Sequence, residues 1–270
     1  MGRFTTILWQ KENHVVTLKL NRPDRRNALN PVMVQELTTA LETAAVDDSC
    51  GVVVLTGEGQ SFCAGLDLDH LATMEQRTAE EHRQESESIA RLLRVLHDLP
   101  RPTIAAVNGS AIAGGMGLAT VCDMTLAVPE ARFGYSEVKI GFVPAVVSAF
   151  LRMQIGDKRA RDLLLSGRQM RAVEALDLGL VTRIVPESEL MEEARRLAVC
   201  LLRNSPAAMQ ATKRLMNEYG RAELDAGLAL AVTANAEARS TADFREGVRS
   251  FLEKRAPVWP SLQPEEISKR

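Results

Sequence analysis

Short apolar runs that stop at turn residues fill the first half of the chain. Residues 5–10 and 14–20 are rich in β-branched and apolar side chains, and Lys11-Glu12-Asn13 separates them, which predicts a hairpin. Asn21-Arg22-Pro23-Asp24 breaks the pattern. Asn30-Pro31 then opens a helix, with Asn30 as N-cap and proline at the first helical position. Val34, Leu37 and Leu41 carry it to about Ala45. Residues 51–55 are all apolar, the pattern of a parallel strand covered on both faces, and residues 56–60 form a loop. Residues 66–99 predict one long, mostly helical stretch. Its charged middle, residues 75–88, reads as exposed, and its better apolar face is Ile89, Leu92, Leu93 and Leu96. Pro100-Arg101-Pro102 ends it, and residues 103–107 form another buried strand. This alternation predicts an α/β core with parallel pairing.

The second half changes character. Residues 145–154, 158–165 and 172–178 read as short helices separated by Gly156-Asp157, Ser166-Gly167 and Gly179, and residues 180–185 as one strand. From residue 187 onward only helices are predicted: 187–203, 206–219, 222–239 and 242–254, with Ser205 and Thr241 as N-caps. Leu228, Ala231, Val232 and Asn235 share one stripe of an Ala-rich helix. That stripe suits close packing, either within the chain or against another subunit.

Composition narrows the function. The chain has 270 residues, 46% of them apolar and only 4% aromatic, so the core is large and mostly aliphatic. A net charge of −2 with interspersed signs disfavours nucleic acid as a partner. Cys50, Cys63, Cys122 and Cys200 make no C-x-x-C pair and read as reduced, mostly buried thiols of a cytoplasmic protein. His14, His70, His82 and His97 lack metal-ligand spacing, so no metal is expected. No apolar run is long enough to span a membrane, and residues 1–10 hold no signal core. Gly57-x-Gly59 lacks the third glycine of a dinucleotide fingerprint.

The candidate chemistry lies between residues 105 and 141. The buried strand enters a turn at Asn108-Gly109, and Ala113-Gly114-Gly115 precedes a helix read over residues 116–124. A helix start offers unpaired N–H groups and a partial positive charge to an anion, including one that forms only in a transition state. Glu137 follows in an apolar, glycine-rich segment. An anion hole with one carboxylate is the minimum needed to move a proton next to a carbonyl.

These residues also resemble a family. Ser61-Phe62-Cys63-Ala64-Gly65-Leu66-Asp67-Leu68 is similar to the first signature of the enoyl-CoA hydratase/isomerase (crotonase) superfamily. Asn108-Gly109 with Ala113-Gly114-Gly115 and Cys122-Asp123 resembles the second. Phe133-Gly134 through Glu137, with Gly141-Phe142-Val143-Pro144, resembles the third. Asn21-Arg22-Pro23, Asn27-Ala28-Leu29 and Gly179-Leu180-Val181 also fit in order, so the resemblance covers nearly the whole chain. It implies an α/β fold: a ββα spiral core over residues 1–200 and an all-helical part over 201–270 that forms trimers, often paired as hexamers.

The resemblance implies the chemistry residue by residue. The backbone N–H groups of Leu66 and Gly114 hold an enolate-like oxygen of an acyl-CoA thioester, and Glu137 is general acid and base. Burial raises the pKa of such a group. Asp67 reads better as the cap of the following helix than as a catalytic group. A second hydratase glutamate falls at Gly117, which cannot transfer a proton. The segment from Gly134 to Ser148 looks like that of bacterial methylglutaconyl-CoA hydratases, in which the glycine would leave room for a branched or carboxylated acyl group. The expectation is therefore reversible hydration of a 2-enoyl-CoA. A Δ3–Δ2 enoyl-CoA isomerase and a non-catalytic acyl-CoA binder are the alternatives. Coenzyme A is part of the substrate, so no separate cofactor is expected. Ala28, Cys63, Ala64 and Gly65 are implied around the adenine, and Arg25 and Arg26 could meet phosphates. Phe251 and Lys254 match a C-terminal segment that often reaches a neighbour's CoA. The segment 69–99 is expected to line the acyl pocket.

Overall fold

The computed structural model describes residues 4–74 and 77–262. Strands β1 (Ile7–Glu12) and β2 (Val15–Leu20) pair antiparallel. Their two-residue loop, Asn13-His14, has both residues at positive φ, the mirror-image turn that matches strand twist. The strand thus runs on through Lys11 and Glu12. Helix α1 (Pro31–Val46) starts as its sequence dictates, with the Asn30 side chain accepting from the Met33 N–H.

Three ββα units follow. The first has β3 (Val52–Gly57), β4 (Ser61–Cys63), and helices α2 (Leu68–Ala72) and α3 (Ala79–Asp98). The second has β5 (Thr103–Val107), β6 (Ser110–Ile112) and α4 (Gly114–Val121). The third has β7 (Met124–Ala127), β8 (Arg132–Gly134) and α5 (Ala145–Ser166). Next come β9 (Gln169–Arg171), α6 (Ala172–Asp177) and β10 (Arg183–Ile184). The first strands of the units join β1, β2 and β10 in a six-stranded sheet ordered β1-β2-β3-β5-β7-β10, parallel from β2 onward. The second strands and β9 form a smaller sheet, β4-β6-β8-β9, in which β9 is antiparallel to β8. Every residue of β3 and β5 is buried, as their mostly apolar runs require, and the buried Thr56 and Thr103 hydroxyls donate to the Ala106 carbonyl and to Asp123. Helices α7 (Leu190–Leu202), α8 (Pro206–Tyr219), α9 (Arg221–Ala238) and α10 (Ala242–Leu252) follow in the described residues. The architecture is α/β, a ββα spiral followed by helices.

Three expectations need correction. Residues 66–99 are two helices, because the Thr78–Glu81 capping box starts α3 afresh. The charged middle of that segment is not all solvated: His82 and Ser86 are buried and Glu85 lies in an ionic cluster, while Glu75 and Gln76 lie outside the described residues. The helix read over 116–124 starts earlier and ends at Val121, since Met124 already belongs to β7 and pairs with Ile104. Gly156, at φ 74°, interrupts α5 and divides it where the sequence predicts two helices. Of the stripe on α9, Leu228, Ala231 and Asn235 are buried within this chain, where α9 packs on α3 and α5.

Candidate active site

Two turns are stacked at the start of α4. Leu29 and Leu66 form a parallel bridge in which the Leu29 N–H donates to the Gly65 carbonyl (2.6 Å) and the Asp67 N–H donates to the Leu29 carbonyl (3.0 Å). Bonding through the neighbours of Leu66 turns its own N–H to the opposite side, away from Leu29. Gly65 sits at φ +90°, and a Cβ there would stand 2.9 Å from the Ala113 Cβ. At Gly115 a Cβ would stand 2.3 Å from the Cys63 carbonyl oxygen. Only glycine lets α4 approach the β4 turn so closely. Gly114 is the first residue of α4, so its N–H has no partner in the helix ladder. The preceding Ala113, at φ +51°, is anchored by donating to the Gly134 carbonyl (2.8 Å).

Arg22 fastens the first turn. Its guanidinium donates to the Ala28 carbonyl (2.6 Å) and pairs with Asp67 (2.6 Å). Asp67 caps α2, accepting from the N–H groups of Asp69 and His70, as the sequence suggests. Burial alone would raise the Asp67 carboxyl, but Arg22 and the two capping amides hold it below the usual range.

Leu66 and Gly114 open on a cavity of ≈ 140 Å³ whose apolar wall includes Leu71, Ile89, Phe142, Val143 and Val147. Glu137 is the one carboxylate in that wall among the described residues. It begins a single 3-10 turn (Glu137–Ile140) and is buried, and its Oε2 has no hydrogen-bond partner. Burial pushes its pKa up to about 7, against a weaker opposing contribution from its own backbone N–H. A second groove, ≈ 640 Å³, runs between α1 and α3 and meets the cavity at Leu29, Leu66 and Ile89.

The structure brings Ala64, Leu66, Gly114, Glu137 and Phe251 onto one cavity. Other expected residues stand elsewhere. Arg25 and Arg26 are exposed, and Arg25 pairs with Asp69 (2.8 Å). The Ala28 carbonyl is held by Arg22 and the Gly65 carbonyl by Leu29. Cys63 is fully buried, and burial pushes its thiol up to about 12, which leaves it inert. Lys254 is exposed beyond the end of α10 and is not part of the wall. In this chain α10 packs on the turn that carries Glu137: a Cβ on Gly247 would stand 2.2 Å from Ile140. Phe251 therefore reaches the chain's own cavity.

Gly117 does not provide space. A Cβ there would stand 2.7 Å from the Val147 Cγ1 and 3.4 Å from Leu93, so the room left by glycine is filled by those two side chains. Sequence reasoning missed Val147; its only trace is the β-branched pair Val146-Val147 in the first turn of α5. Of the segment 69–99, Leu71 and Ile89 reach the cavity. Among the described residues no group of His, Cys, Asp and Glu is arranged to hold a metal ion, and no helix is long and apolar enough to cross a membrane.

Comparison with known proteins shows the family. The family model for Enoyl-CoA hydratase/isomerase matches residues 10–262. A Thermus thermophilus protein, whose name assigns it provisionally to the enoyl-CoA hydratases, is 46% identical over 247 residues, covering 92% of this chain and 98% of its own. The 2,3-dehydroadipyl-CoA hydratase of Escherichia coli is 36% identical, with 93% and 97% covered. A crystal structure of an enoyl-CoA hydratase/isomerase from Pseudoalteromonas atlantica superimposes with a TM-score of 0.85 at 33% identity, covering 94% of this chain and 100% of that one.

Proposed function

We propose that this chain, which belongs to the enoyl-CoA hydratase/isomerase family, adds water reversibly to a short or branched 2-enoyl-CoA through one carboxylate. The observation that supports this best is Glu137: buried, with a free oxygen, titrating near neutrality, in the wall that also holds Leu66 and Gly114. The two N–H groups take up the thioester oxygen as it gains charge. Ionised Glu137 takes a proton from water as the oxygen bonds to carbon 3. The π pair moves to the enolate, and Glu137 returns the proton to carbon 2. The reverse reaction also begins with ionised Glu137. Hence kcat/KM should rise with pH through about 7 and then level off, in both directions. A profile flat from pH 5.5 to 8.5 would contradict this role.

The small apolar cavity with Val147 in its wall supports a short acyl group, and the side chains that fill the space over Gly117 give no support to a methylglutaconyl-like one through room at that residue. Val147→Ala should open that space at a stability cost of roughly 2 kcal/mol. It should also shift kcat/KM toward bulkier acyl groups, measured as a ratio over a panel of thioesters; an unchanged ratio would remove Val147 from the acyl wall.

The lone carboxylate also supports isomerisation, in which Glu137 takes a proton from carbon 2 of a 3-enoyl-CoA and returns it to carbon 4. Exposed apolar side chains on the helical part, Leu215, Met216 and Tyr219 on α8 among them, support a homotrimer or hexamer. Sedimentation analysis tests that assembly.

A further inference from the structure

A charged cluster that hydration does not use directly lines the groove between α1 and α3 with Glu85, His70 and Arg77. Glu85 on α3 has a side chain only 9% exposed. Its Oε2 lies 2.9 Å from His70 Nε2 and 2.8 Å from Arg77 Nη1. Its Oε1 lies 3.3 Å from Nη2 of Arg239, whose side chain is wholly buried. Arg77 Nη2 stands 3.2 Å from His70 Nδ1. A guanidinium only donates, so Nδ1 accepts from Arg77 and the ring proton sits on Nε2. The approaches of Glu85 to His70 Nε2 and Arg239 Nη2 are electrostatic contacts without hydrogen-bond alignment.

Each arm of the cluster leads to one wall of the cavity. His70 is in α2, whose cap Asp67 directly follows Leu66. Arg239 donates to the His82 carbonyl (2.9 Å), and its guanidinium lies 5.3 Å from the centroid of the Phe142 ring. Phe142 lines the cavity, and its N–H donates to the Glu137 carbonyl (3.0 Å). One carboxylate thus joins the turn of Leu66 to the turn of Glu137.

We propose that Glu85 is a positioning residue. Through His70 it fixes the turn that presents the Leu66 N–H, and through Arg239 and Phe142 it fixes the turn that presents Glu137. Small displacements between such groups slow a reaction strongly while leaving binding nearly intact. The proposal rests on the reading that the Leu66 and Gly114 N–H groups take up the thioester oxygen.

The test uses two variants, because Glu85→Gln leaves two guanidiniums beside a neutral side chain and the chain could fail to fold. His70→Gln cuts the arm to α2 together with its contact to Arg77, and it strands no charge because Arg77 and Arg239 keep Glu85. Each folded variant is assayed for kcat, KM and thermal melting. The infrared carbonyl stretch of a bound enoyl thioester labelled with ¹³C at the carbonyl reports how strongly the oxygen is held. For His70→Gln we expect kcat to fall roughly 10- to 100-fold, KM to stay within about 3-fold, melting to be little changed and the carbonyl red-shift to shrink. If wild type shows no red-shift, the reading of the site itself fails. If wild type shows it and His70→Gln keeps both the red-shift and kcat, Glu85 is not a positioning residue.

Discussion

Glu137→Gln is expected to lower kcat by about 10²- to 10⁴-fold, the range spanned by a positioned acid–base group. The thioester should still bind, because neither backbone donor is touched. The same substitution should stabilise the fold at alkaline pH, and the sign follows from burial. The folded-state pKa is about 7 against an ordinary 4.5, so the folded protein holds this proton more tightly than the unfolded chain does. Stability contributed by the protonated form is complete below about pH 4.5. It declines as pH rises toward 7, by up to about 3 kcal/mol, and stays lost above. Glutamine carries no charge to bury, so the variant should melt higher than wild type at pH 8 and about equally at pH 4.5. Kinetics and melting curves at the two pH values check both halves. A variant that melts lower than wild type at pH 8 would show that the carboxylate is favourably held rather than strained.

Gly115→Ala is expected to cost nearly as much activity without removing any reacting group. Its Cβ would stand 2.3 Å from the Cys63 carbonyl oxygen, a backbone atom that cannot swing aside. Helix α4 must therefore move away from the β4 turn, taking the Gly114 N–H with it. One such donor is worth on the order of 3 kcal/mol in the transition state, so kcat should fall roughly 100-fold. The overpacking itself should cost about 1–3 kcal/mol of stability. Gly179→Ala is a useful control, because its Cβ meets nothing within 4 Å, although its φ of +78° strains it. If Gly115→Ala kept wild-type kcat while the control behaved as a mild destabiliser, the close approach of α4 would not be what sets the site.

Much of this arrangement is legible in the chain because the signals are local. Asn30-Pro31 dictates the start of α1, and the mostly apolar runs become the fully buried strands β3 and β5. Asp67 can be read as a cap because its partners are two and three residues away. The three-residue strands β4, β6 and β8 were not legible, since their pairing is set by which unit stacks on which. Gly117 shows why a gap in a motif is not a gap in space: Val147, thirty positions away in sequence, fills it. The cluster around Glu85 was hidden for a related reason. Composition places charged residues in water unless partners compensate, and here the partners come from α2, the turn before α3 and the C-cap of α9. The reach of Phe251 into its own cavity likewise depends on where α10 docks, which no local pattern states.

In the proposed reaction one carboxylate, Glu137, carries water to carbon 3 of a 2-enoyl thioester. The most direct measurement is turnover of a panel of 2-enoyl- and 3-enoyl-CoA thioesters in ¹⁸O-labelled water, with 3-methylglutaconyl-CoA in the panel and Glu137→Gln run beside wild type. The products are then weighed. A 3-hydroxyacyl product bearing one heavy oxygen is expected from wild type and nearly none from the variant. A shifted double bond without heavy oxygen, or hydration that proceeds equally well in Glu137→Gln, would contradict it.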